Sequence, residues 1–131
     1  MRTRAALLWT LSGFCVVLLG LTSLSLAERA VQGVLLTPDG GGRYVVNEIG
    51  QGLVPTAVNI EGQVVGYTHT NPYRAFLWME SSGVRLLGTY GTDPASIAYG
   101  INDIGQAVGE SFPEPYNLGR AFSARYRQIV A

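Results

Sequence analysis

His69 is the only histidine of this 131-residue chain, and it stands in the segment Tyr67-Thr68-His69-Thr70-Asn71-Pro72-Tyr73. An imidazole can act as a general base or bind a metal, but either role needs partners held beside it: a nucleophile or an acid in the first case, further ligands in the second. Asp103 and Glu110 are the carboxylates to hand, and no spacing ties them to His69. The serines offer no more. Ser81-Ser82-Gly83 has the composition of a turn, and the chain has no Gly-x-Ser-x-Gly elbow. Asp39-Gly40-Gly41-Gly42 and Gly91-Thr92-Asp93-Pro94 resemble calcium or phosphate loops only in their glycines and acids. They lack the alternating oxygen ligands or the lysine such loops require, so both are read as turns. The sequence therefore predicts no catalytic residue, no metal site and no cofactor, and a secreted hydrolase is its least supported reading.

What recurs is aromatic rather than acid–base chemistry. Two loops, Tyr67 to Tyr73 and Glu110 to Gly119, carry the dipeptides Pro72-Tyr73 and Pro115-Tyr116. Tyr67, Tyr73, Phe112 and Tyr116 are the candidate ligand-binding residues: rings on matching loops of a repeat emerge on one side of the molecule. There they would form a surface for a glycan, a peptide or a neighbouring subunit. The plainer alternative is that the rings pack down and close their own loops.

The loops match because the chain repeats itself. Ala57 to Gly66 returns as Gly100 to Gly109, 43 residues later, and the triplet Arg74-Ala75-Phe76 returns as Arg120-Ala121-Phe122. Asn59 and Asn102 open four-residue turns that Gly62 and Gly105 close. Asn bonds its own backbone two residues on, and Gly takes the positive φ that follows a type I turn, which gives a tight hairpin with a bulge. Gln63 and Gln106 start the return strands, and Gly66 and Gly109 are read as points where the chain leaves those strands sharply. Trp78, which alternates with Phe76 on its strand, is expected to fill the core between repeats, and Phe76 and Phe122 are read as structural residues of the repeat. Nine candidate strands follow: Val31 to Leu36, Arg43 to Val46, Ala57 to Asn59, Gln63 to Tyr67, Ala75 to Met79, Val84 to Leu87, Ala98 to Ile101, Gln106 to Glu110 and Ala121 to Gln128. Helical character is confined to the apolar N-terminus. The expected fold is all-β, with antiparallel units resembling β-propeller blades, two recognisable copies and an incomplete propeller. The second copy shows no Gly-rich turn and final strand, and open edges would invite self-association.

These residues resemble the HAF repeat, a family of secreted, mostly bacterial repeat proteins named for a His-Ala-Phe triplet. The likeness rests on Gly-Ile-Asn-x-x-Gly-Gln-x-Val-Gly, Ala-Phe-Leu-Trp and Gly-x-x-x-Leu-Gly-Thr, and runs from about Gly50 to Tyr126. Arg74 and Arg120 replace the eponymous histidine, and Phe122-Ser123-Ala124 replaces Phe-Leu-Trp in the second copy. The resemblance implies an extracytoplasmic, propeller-like protein and no particular activity.

The address is written at the N-terminus. Arg2 and Arg4 precede an apolar run from Ala5 to Leu26, and Ser25-Leu26-Ala27 has the small residues a signal peptidase reads. Residues 1–27 are thus a signal peptide, with an uncleaved membrane anchor as the alternative. Residues 28–49 form an N-terminal β segment, read as outer strands of a preceding blade, and residues 50–131 hold the two repeats, about 50–90 and 91–131. Cleavage leaves a lysine-free, cysteine-free chain with seven arginines against nine acids. That balance offers no basic stripe for nucleic acid. The expected function is a secreted, non-catalytic binding or scaffolding module of unknown partner. The alternative is a truncated piece of a longer HAF-repeat protein with no independent activity.

Overall fold

Alternating apolar residues and Asn-Gly turns give short strands, and the computed structural model, which describes residues 5–9, 15–21, 30–113, 118–125 and 128–130, arranges them in three sheets. The strands are β1 (Ala5–Trp9), β2 (Cys15–Leu21), β3 (Ala30–Pro38), β4 (Tyr44–Gln51), β5 (Leu53–Val58), β6 (Val64–Thr68), β7 (Ala75–Met79), β8 (Gly83–Leu86), β9 (Ala95–Ile101), β10 (Gln106–Phe112), β11 (Arg120–Arg125) and β12 (Gln128–Val130). Each sheet is a four-stranded antiparallel meander in chain order: β1 to β4, β5 to β8, and β9 to β12. The fold is all-β, built of blade-like units and not closed into a barrel. The second sheet is the first repeat and the third sheet is the second.

Two expectations differ from the structure. The apolar N-terminus carries strands β1 and β2, because β3 offers a free edge whose backbone groups they satisfy. The third sheet does have a fourth strand, the three-residue β12, paired to β11. The cleavage junction at Ala27 lies outside the described residues.

The repeated turns show why their residue types recur. Asn59 Oδ1 accepts from the backbone N–H of Glu61 at 3.1 Å and of Gln63 at 2.9 Å. Asn102 Oδ1 accepts from Gln106 N–H at 2.8 Å. Gly62 and Gly105 have φ near +72° and +74°, a conformation that costs glycine nothing. Gly66 and Gly109 have a different task from the one their position suggests: both are buried in mid-strand, opposite a β-bulge. The bulged residues are Thr56 and Tyr99, and a Cβ on Gly66 or Gly109 would strike the carbonyl of Val54 or Ile97.

The sheets stack through two cores. Leu35 and Ile49 of the first sheet meet Leu53, Val58, Val64, Phe76 and Trp78 on one face of the second. The opposite face presents Val65, Ala75 and Leu77 to Ala98, Ala107, Phe122 and Ala124 of the third. Polar groups sewn into this second seam are satisfied across it. Thr56 Oγ1 donates to Ala98 O at 2.7 Å, and Asn59 Nδ2 donates to Asn102 O at 3.0 Å, one repeat further on. Ser96, fully buried, accepts from Ala75 N–H at 3.0 Å and donates to Gly88 O at 2.6 Å.

Asn59 and Asn102 hold the same place in their turns, but only Asn59 is buried, at 2 % exposure, and only it bridges sheets among the described residues. Asn59→Ala should therefore cost about 2–3 kcal/mol and Asn102→Ala about 1 kcal/mol or less. Urea unfolding of the two variants measures the difference.

Candidate aromatic groove

Backbone contacts fix the first aromatic loop before any side chain is considered. Thr68 N–H donates to Arg74 O at 2.9 Å, and Arg74 N–H donates back to Thr68 Oγ1 at 3.0 Å, so the loop between β6 and β7 is pinched at its base. His69 N–H bonds Gly52 O at 2.7 Å, and Ser96 N–H bonds Tyr73 O at 2.9 Å. The loop is thereby tied to the turn that precedes β5 and to β9, the first strand of the third sheet. This leaves the Tyr73 ring beside the start of β9.

A cavity of about 400 Å³ opens there, lined by Asn71, Tyr73, Ala95, Ile97 and Phe112. Tyr73 comes from the first repeat and Phe112 from the second. Tyr67 backs Tyr73 edge to face, with ring centroids 5.5 Å apart, a geometry that aromatic quadrupoles favour. Three of the four aromatic residues singled out from the sequence are thus gathered in one place, while Tyr116 lies outside the described residues. Tyr73 is 45 % exposed. Nearby on the third sheet, Tyr99 Oη donates to Glu110 Oε2 at 3.3 Å. Burial, and then the Glu110 charge, push the Tyr99 phenol above its ordinary value.

Among the described residues the lining presents two aromatic rings, two aliphatic side chains and one amide, and no charged group, which suits apolar contact. Among the described residues no three His, Cys, Asp or Glu side chains group as metal ligands would. His69 is exposed, and Asp103 accepts from Ile60 N–H at 3.1 Å as a link between the two turns. Asp39 Oδ1 caps its own glycine turn by accepting from Gly41 and Arg43 N–H.

Asp93 is the residue that a turn reading misses. Its side chain is 2 % exposed and takes a 3.0 Å ion pair from Arg120 Nη1, whose own side chain is 52 % exposed and whose guanidinium stands 5.6 Å from the centre of the Tyr90 ring. The second carboxylate oxygen has no hydrogen-bond partner among the described residues. A second hollow of about 430 Å³, lined by Thr92, Asp93, Pro94, Pro113 and Arg120, adjoins this pair. The sequence signal is the pair Asp93 and Arg120 itself, separated by 27 residues, a distance at which no local rule links them.

Arg120→Ala should leave Asp93 buried without its cation and cost about 1–3 kcal/mol, the Arg120 end being open to solvent; chemical unfolding reads this. Glu110→Gln removes a charge that disfavours the phenolate and should lower the Tyr99 pKa, followed by NMR titration of labelled tyrosine rings. The sign is fixed: a phenol held above its unfolded value stabilises the fold below the ordinary tyrosine range, and that contribution is lost as pH rises through the raised value.

Comparison with family models, curated proteins and solved structures finds no match to this chain.

Proposed function

We propose that the protein is an exported, non-catalytic binding module of the HAF-repeat type, and that its ligand is a neutral glycan held in the groove between the two repeats. The observation that carries this is the meeting of Tyr73, from the β6–β7 loop of the first repeat, and Phe112, at the end of β10 in the second, around one cavity of about 400 Å³. Aromatic faces stack on the apolar face of a sugar ring, and the Asn71 amide both donates and accepts for its hydroxyls. Among the described residues no ionised side chain lines the cavity, which favours a neutral ligand. Export rests on the basic start, apolar core and small-residue junction of residues 1–27. Removal of that leader would take β1 and β2 with it and leave β3 and β4, whose Leu35 and Ile49 hold the seam with the second sheet.

The test is a panel of neutral oligosaccharides screened by calorimetry against the protein and its Tyr73→Ala variant. Tyr73→Ala should weaken glycan binding at least tenfold while the Tm stays within about 2 °C, since Tyr73 belongs to neither buried core. Absence of binding to any neutral glycan, or binding indifferent to Tyr73, sinks the proposal; a peptide held by the same two rings would keep the groove and replace the ligand class.

A further inference from the structure

Superposing the repeats residue by residue reveals where the copies part. On the face of each sheet turned toward its predecessor, the second copy stays apolar: Val64, Phe76 and Trp78 correspond to Ala107, Phe122 and Ala124, and all six are buried. On the opposite, outward face the pattern breaks. The second sheet there offers Thr56, Val65, Ala75, Leu77 and Met79; the third offers Tyr99, Val108, Ala121, Ser123 and Arg125 in the same places. Val65 is 0 % exposed and Val108, the same residue in the same place, is 50 % exposed. Leu77 has become Ser123 and Met79 has become Arg125. Thr56, which donates to the next sheet's Ala98 carbonyl, has become Tyr99, whose hydroxyl bonds Glu110 of its own sheet.

We infer that the outward face of the third sheet is built to stay in water: it is the capping face of the stack and does not receive another blade. Repeat arrays need end units with polar outer faces, and the replacement of Leu77 by Ser123 and of Met79 by Arg125 is of that kind, on the outward face of the third sheet. The aromatic groove depends on it. Ala95, Ile97 and Phe112 share the outward face with Val108 and Glu110, as the pairings Ala95 with Phe112 and Ile97 with Glu110 require. On the second sheet the corresponding region is occupied by β9, tied down through Ser96 and Ala98. A fourth sheet stacked in the same manner would fill the groove. The inference stands on the face residues alone and holds whatever the groove binds.

The test restores the second sheet's residues to the third. A Tyr99→Thr, Ser123→Leu, Arg125→Met triple variant is compared with the unmodified protein by size-exclusion chromatography with light scattering. The unmodified protein should be monomeric across a wide concentration range, and the variant should associate. A variant that folds yet stays monomeric overturns the inference, as does an unmodified protein whose self-association is abolished by Val108→Asp. Matched truncations guard against a misfolded triple variant. Val65→Ala should lower the Tm by roughly 5–10 °C and Val108→Ala by less than about 2 °C; equal losses would mean that the outward face is covered after all.

Discussion

The stack depends on a β-bulge in the first strand of each repeat sheet. Gly66 and Gly109 leave space for the carbonyls of Val54 and Ile97 on the adjacent strand of their own sheet, and the freed residue, Thr56 in the first repeat, points its hydroxyl across the seam. Polar atoms buried between the sheets must find partners there. Ser96 and Asn59 do so, each joining segments of different repeats, and the exposed Asp103 adds a further link between the two turns. The apolar core fits the same seam: small alanines at 98, 107 and 124 suffice on the third sheet because Leu77 and Phe122 fill the remaining space.

The groove draws on both loop and strand. Asn71 and Tyr73 come from the loop between β6 and β7, where the threonine hydroxyls are committed locally: Thr68 and Thr70 bond each other at 2.8 Å, and Thr70 donates to Pro72 O at 3.2 Å. Ala95, Ile97 and Phe112 come from β9 and β10. Among the described residues the cavity is lined by two rings, two aliphatic side chains and one amide, a set that recognises shape and apolar area with few directional bonds.

Much of this was legible in the sequence, and the legible parts are local. The Asn-x-x-Gly turns declare themselves because both residues act within four positions of each other. The alternation of Phe76, Leu77 and Trp78 separates the two faces of β7 by strand period alone. The illegible parts are long-range or degenerate. Ser96 and Ser111 read as ordinary strand or surface serines, although both are fully buried and each bonds two backbone groups. Asp93 read as a turn residue because a turn explains it without Arg120. The three-residue β12 escaped notice because so short a strand is defined by its pairing with β11, not by its composition. The aromatic groove stood between: repeat arithmetic places Tyr73 and Phe112 on related loops, but only the anchoring of Tyr73 O by Ser96 N–H brings their rings to one cavity.

The seam has a consequence for how such a chain changes over time. A residue on the outward face of one copy is judged by the inward face of the next, not by its own counterpart. Leu77 answers to Phe122 and Ala124, while Ser123 answers to water. Copies aligned with one another will therefore look eroded on one face and preserved on the other, even where selection is equally strict on both.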